Sequence, residues 1–156
     1  MIFTIRQKIF SWSDSFTVWD EQGRDCYYVQ GELFSWGRRL HITDTQGREA
    51  ALVAQKVMTW LPRFDVITDG VCRAQIVKEM TFFQPRYRID GLDWIIEGDF
   101  LDHDYEIRRQ GQIIARIRKQ WFTWADCYVI DIADPAQALT ALAVVLAIDC
   151  VAAANQ

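Results

Sequence analysis

At 156 residues the chain has the length of one domain and enough material to bury a substantial core. Hydrophobic residues make up 51% and aromatic residues 13%, with seven tryptophans, which excludes a disordered chain. A net charge of −4 and a pI near 5.1 give no expectation of a nucleic-acid partner, so any anion-binding function requires a local basic patch.

The amino terminus, MIFTIRQKIFSW, carries Arg6 and Lys8 after its apolar residues and has neither an unbroken apolar run nor a small-residue cleavage site. No signal peptide is expected, and a cytoplasmic location follows. From there to residue 132 short apolar-polar segments follow one another, near 2–8, 15–20, 25–33, 39–44, 49–57, 64–68, 72–79, 86–90, 93–98, 104–109, 112–119 and 127–132. Gly23, Gly37, Gly47, Gly70, Gly91 and Gly111 fall at or near the breaks beside Asp, Gln or Arg, as hairpin turns require. About twelve strands are predicted, with no linker and no shift of composition among them.

An internal repeat supports this pattern. KVMTWLPRFDVI from Lys56, KEMTFFQPRYRI from Lys78 and KQWFTWADCYVI from Lys119 each run lysine, aromatic turn, then a strand ending in Ile67, Ile89 or Ile130. A less complete copy starts at Lys8, with Trp12, Ser13 and Phe16. The unit is a β-hairpin with an aromatic turn, and repeated hairpins make a meandering antiparallel sheet.

The carboxy-terminal stretch Pro135–Ala154 has a single charge, Asp149, and is rich in Ala and Leu. Asp134 followed by Pro135 is a helix start, since the carboxylate accepts an orphan amide hydrogen bond and proline suits the first helical position. A helix apolar all round is enclosed by protein or by lipid. Insertion in a bilayer would be marginal, because an aspartate costs about 2.5–3.5 kcal/mol near the centre and flanking Lys, Arg, Trp and Tyr are missing. A buried helix is the expectation. A sheet of twelve short strands closes most naturally around it, removing its own exposed edges, and a barrel that wide needs a plug. The predicted fold is mainly β: a closed antiparallel barrel of about twelve strands, lying within 2–132, enclosing one central helix, 135–154, in a single domain, 1–156.

GDFLDHDYEI (Gly98–Ile107), GQIIARIRKQWFTWADCYVIDI (Gly111–Ile132) and ALAVVLAID (Ala141–Asp149) resemble the LURP-one-related family, which groups with tubby-like carboxy-terminal domains and phospholipid scramblases. The resemblance covers nearly the whole chain and implies the same architecture, a twelve-stranded barrel threaded by a hydrophobic helix. It implies less about function: tubby domains bind phosphoinositide head groups and scramblases act at membranes, but fold does not dictate activity.

No catalytic, cofactor or metal site is expected. His41 and His103 have no metal-ligand spacing with another His or Cys and read as solvent contacts at strand ends. No nucleophile elbow, phosphate loop or dinucleotide fingerprint is present. Asp99, Asp102 and Asp104 read as a solvated turn, without the glycine and bidentate glutamate of a calcium loop. The four cysteines, Cys26, Cys72, Cys127 and Cys150, are scattered and read as buried thiols. Asp149 is a burial problem that a wall Arg or Lys, or water at the barrel end, would solve.

The basic residues Lys56, Lys78, Arg86, Arg88 and Lys119 are the candidates for an anion or lipid head-group site, since Lys and Arg on adjacent strands can bind a phosphate. The aromatic turns at Trp36, Trp60, Phe82, Phe83, Trp121, Phe122 and Trp124 would form an interaction patch if exposed at one barrel end. The expected function is a non-enzymatic binding module that engages anionic phospholipid or the membrane surface through barrel-end aromatics and outward Lys/Arg. The alternative is a protein-interaction scaffold. Oligomeric state is not legible.

Overall fold

The computed structural model describes residues 1–6, 15–32, 36–83, 86–122 and 125–154, and of 121, 122, 125 and 126 the backbone alone. It contains twelve strands: β1 (Ile2–Arg6), β2 (Ser15–Trp19), β3 (Asp25–Gly31), β4 (Arg39–Asp44), β5 (Glu49–Gln55), β6 (Arg63–Thr68), β7 (Val71–Glu79), β8 (Arg86–Asp90), β9 (Ile95–Asp99), β10 (Asp104–Arg109), β11 (Gln112–Phe122) and β12 (Ala125–Ile132). A 3₁₀ turn, Pro135–Gln137, then leads into helix α1 (Ala138–Ala153).

Every described strand pair is antiparallel, and the order is β8-β7-β6-β5-β4-β3-β2-β1-β12-β11-β10-β9. The sheet curls until β8 and β9 lie side by side, but no ladder joins them among the described residues, so the barrel is nearly closed and keeps one seam. The ring is completed elsewhere by β1, which pairs with β12 from Ile2↔Asp131 to Arg6↔Cys127. The Met1 ammonium donates to the Ile132 carbonyl at 3.0 Å beside that ladder.

Alternation puts one residue in two inside: Phe3 and Ile5, Leu40 and Ile42, Val53, Phe64 and Val66, Ile107, Ile117 and Ile130 are buried. They close around α1, in which every residue from Ala141 to Ile148 has 0% exposure. The helix is long and apolar enough to span a membrane. Here strands β5, β6, β7 and β12 enclose it instead. Burying Leu142, Leu146 and Ile148 contributes about 1.5–3 kcal/mol each, while the alanines let the wall approach. Asp134 caps the helix entrance as expected, its Oδ1 accepting from the Ala136 amide at 2.9 Å, although the first turn is 3₁₀.

A meander of antiparallel hairpins sends alternate connections to opposite ends. The β2–β3, β4–β5, β6–β7, β8–β9 and β10–β11 connections stand at the end where α1 enters. The β3–β4, β5–β6, β7–β8 and β9–β10 connections stand where it finishes, the exit end.

The two ends are built differently. At the entry end DEQGR (Asp20–Arg24) and DTQGR (Asp44–Arg48) make the same turn. Asp20 Oδ1 accepts from the amides of Gln22 at 2.8 Å and Arg24 at 2.9 Å, and Asp44 Oδ1 from those of Gln46 at 2.9 Å and Arg48 at 3.0 Å. Each carboxylate also takes the Nε of its own arginine, Arg24 at 2.7 Å and Arg48 at 2.9 Å. These backbone and arginine hydrogen bonds hold the pKa of both aspartates below 3.8. The exit end carries large apolar side chains on its β3–β4, β5–β6 and β7–β8 connections and an aspartate turn, at Asp99, on its β9–β10 connection.

Candidate functional site at the exit end

Two features meet at the exit end: a buried polar cluster under the rim and an exposed aromatic rim above it. The cluster starts from Asp149, in the last two turns of α1 and 6% exposed, where a carboxylate needs partners. Tyr128 of β12 donates its hydroxyl to Oδ2 at 2.7 Å, and His103 Nε2 lies 3.1 Å from Oδ1. The imidazole also stacks on the Tyr128 ring, with centroids 4.3 Å apart and planes at 21°. The partners are thus a turn histidine and a strand tyrosine, in place of the wall Arg, Lys or water expected for Asp149. His103, expected at a solvated strand end, is 7% exposed because the β9–β10 turn folds its ring inward over the helix end.

Burial alone would lower the His103 pKa. The hydrogen bond and charge of Asp149, with a contribution from Asp102, outweigh it and the opposing Lys119 charge, leaving it above the usual 6.5. Burial, reinforced by the Asp149 charge, holds the Tyr105 and Tyr128 hydroxyls and the Cys150 thiol well above their usual pKa values. Tyr105 points its hydroxyl into the same region, yet that oxygen has no hydrogen-bond partner among the described residues.

On the rim, Trp36, Met58, Trp60, Phe82 and Phe83 are each more than nine-tenths exposed, joined by Val57, Met80 and Leu101. They come from four separate connections, β3–β4, β5–β6, β7–β8 and β9–β10. Met58 sits in the left-handed region, φ 62°, a conformation costing a non-glycine residue about 1–2 kcal/mol. Of the predicted aromatic turns, Trp124, the side chains of Trp121 and Phe122, and the copy at Lys8, Trp12 and Ser13 lie outside the described residues.

The chain has four lysines, and the three within the described residues, Lys56, Lys78 and Lys119, all stand toward this end. Residues opposite one another in an antiparallel pair share a face. Lys78 is opposite Tyr87, which packs against the core, and Lys119 is opposite the buried Tyr128. Both therefore take the inward register, where outward lysines were expected, and arrive at the barrel mouth. Lys56 is outward and exposed. Lys78 also borders a shallow hollow of about 400 Å³ with Leu61, Glu79, Met80, Thr81, Phe82 and Phe83.

Matches to known proteins cover this whole arrangement. The family profile described as LURP-one-related matches residues 1–149. The chain belongs to the LURP-one-related family. One relative, the uncharacterized protein YxjI of Bacillus subtilis (strain 168), is 31% identical over 147 residues, 94% of this chain and 91% of that protein. An X-ray structure of a protein from Arabidopsis thaliana has the same fold, with a TM-score of 0.64 at 15% identity, covering 96% of this chain and 90% of that one.

In this LURP-one-related chain Lys56, Lys78 and Arg86 gather at the mouth along β5 to β8, and Lys119 stands on β11, beyond the seam. Arg88 is engaged locally: Nε lies 2.5 Å from Asp90 and Nη1 3.2 Å from Glu79, and these acids push its pKa upward. Asp99 organises the acidic turn, accepting from the amides of Leu101 at 3.1 Å and Asp102 at 3.2 Å. Among the described residues no three His, Cys, Asp or Glu side chains group as metal ligands would. His41 bridges Glu49 on β5 and Glu32 beyond β3, at 2.5 and 3.0 Å. All four cysteines are free thiols. Cys150 alone is fully buried, and Cys72 is exposed, because β7 begins at an open corner of the sheet where its first three residues are uncovered.

Proposed function

We propose that this protein is a non-enzymatic module that docks by its exit end on the surface of an anionic membrane, from the cytoplasmic side. The carrying observation is the crowding of exposed Trp, Phe and Met on three loops at one end, with Leu101 on a fourth. Patches of that kind mark surfaces that touch membranes or partners. Trp36 and Trp60 suit the interface between water and lipid, where an apolar ring and a polar edge are both accommodated, and Phe82 and Phe83 add wholly apolar rings beside them.

Three further points favour a membrane over a protein partner. The apolar side chains stand on separate loops, as independent wedges rather than one flat face. The described lysines stand toward the same end together with Arg86, which would give an anionic surface a local positive charge to meet despite the net charge of −4 and the acidic turn at Asp99–Asp104. Met58 keeps a left-handed conformation that a glycine would adopt without strain, which is sensible where the side chain itself is used.

The test is co-sedimentation of the purified protein with neutral vesicles and with vesicles containing phosphatidylserine, phosphatidylglycerol or phosphoinositide, at two salt concentrations. Salt-sensitive binding to anionic vesicles is expected, and it should be lost when Trp60, Phe82 and Phe83 are changed together to Ser. Binding to none of these vesicles would overturn the reading and leave a protein partner, sought by affinity capture, as the better explanation.

A further inference from the structure

We propose that His103, Asp149 and Tyr128 form a proton-operated latch that holds the β9–β10 hairpin against the end of the core helix and keeps the barrel seam shut. The seam is the weak line of the fold. β9 is laddered to β10 on one flank only, and Ile95, Glu97, Gly98 and Asp99 are exposed. Gly98, at φ 118°, lets β9 lie hard against β10, since a Cβ there would meet Asp104 O at 2.6 Å and Tyr105 Cα at 2.8 Å. The two strands therefore move as one unit.

The turn between them fastens that unit to the rest of the molecule in two directions. Phe100 sets its ring edge against Tyr87 of β8, across the seam, with centroids 4.5 Å apart. Three residues later His103 reaches Asp149 of α1 and stacks on Tyr128 of β12. It does so from φ 52°, in the left-handed region, which histidine enters more readily than most non-glycine residues.

Among the described residues the groups acting on the imidazole are Asp149 from α1, Tyr128 stacked on it from β12, Lys119 from β11 and Asp102 from the turn itself, while Tyr105 and Cys150 neighbour the Asp149 carboxylate and Arg38 neighbours Cys150. The two tyrosines and the cysteine stay protonated through neutrality, so His103 is the member whose proton responds there. Its pKa is raised on folding, so the stability it contributes is complete below 6.5 and is lost as pH rises through the folded value. Loss of the proton leaves the Asp149 carboxylate buried without its opposite charge. The neutral ring still offers one N–H to the carboxylate, so the contact weakens: the turn opens more often, Phe100 with it, and the seam loosens. The device operates whether the rim meets lipid or protein.

Amide hydrogen exchange of the full chain, read by mass spectrometry from about pH 5.5 to about pH 8.5, spans the histidine range. After correction for the intrinsic rate, protection of residues 95–104 should fall as pH rises, by about tenfold if the contact raises the imidazole pKa by one. Protection of β6 should not change. The His103 ring, followed by NMR in the unaltered protein with His41→Asn used only to assign the two imidazole signals, should titrate above 6.5 over the same interval, and His103→Gln should flatten the exchange profile. A flat profile in the unaltered protein, or an imidazole titrating at or below 6.5, would overturn the latch, and neither reading depends on how the variants fold.

Discussion

Tyr128→Phe removes one oxygen from a site where its role can be measured. The hydroxyl donates to the Asp149 carboxylate at 2.7 Å, and both residues are buried. A hydrogen bond to a charged group contributes about 1.5–3 kcal/mol, and its loss leaves His103 as the remaining side-chain donor to a buried carboxylate, so a cost of about 2–3 kcal/mol is expected. With a urea dependence of about 2 kcal/mol/M the midpoint should fall by about 1 M. Tyr105→Phe is the matched control. Its hydroxyl is equally buried, 2% exposure for each tyrosine, and has no partner among the described residues. Removing it should leave stability unchanged or raise it by about 1 kcal/mol, because nothing bonded is lost and a desolvated group disappears. Urea denaturation followed by tryptophan fluorescence compares the two, provided the slopes agree. Equal losses in both variants, or a larger loss in Tyr105→Phe, would refute the assignment of Tyr128 as the donor that satisfies Asp149.

Ending the chain at Ala133 should give an insoluble or molten product, since the inner faces of β5, β6, β7 and β12 would have nothing to bury against; a soluble barrel with a sharp two-state transition would show that α1 is dispensable. Alkylation by iodoacetamide should modify Cys72 in the folded protein and reach Cys150 only after unfolding, as peptide mass spectrometry would register; early labelling of Cys150 would mean that the helix end opens. His41, whose pKa is raised by Glu49 and Glu32 against the effect of burial, contributes stability that is complete below 6.5 and fades as pH rises above it. His41→Asn should reduce the melting-temperature difference between mildly acidic and alkaline buffer, and an unchanged difference would count against the bridge.

The strands were legible because period-two alternation and turn residues are local signals: predicted 39–44, 86–90 and 104–109 coincide with β4, β8 and β10. The enclosed helix was legible from its lack of any polar face, and the exit-end rim from the repeated lysine and aromatic turn. Asp149 announced itself as a charge in need of a partner. The partner did not, because His103 stands between Asp102 and Asp104 and reads as a polar turn. Only the register of β10, β11 and β12, together with the length of α1, carries the histidine across 46 positions to the helix end. One route to it was open: hairpin parity puts the β9–β10 turn at the end where α1 finishes, and that turn holds a histidine. The inward course of Lys78 and Lys119 was hidden for a related reason, since one step of register decides the face of every side chain on a strand. The DEQGR and DTQGR turns were written plainly, 24 positions apart, but were overshadowed by the aromatic repeat.

The pairing of β1 with β12 has a kinetic consequence. Met1 and Ile132 meet across 131 positions, so β1 keeps one flank unpaired until β12 has been synthesised. Loop closure over such a distance is slow relative to local hairpin formation. During that interval the nascent sheet displays Phe3 and Ile5 on a free edge, with the helix that will cover them still to come. Assembly should therefore begin with the neighbouring hairpins β3 to β7, and a newly made chain would be most exposed to aggregation, and most in need of a chaperone, just before β1 and β12 find each other.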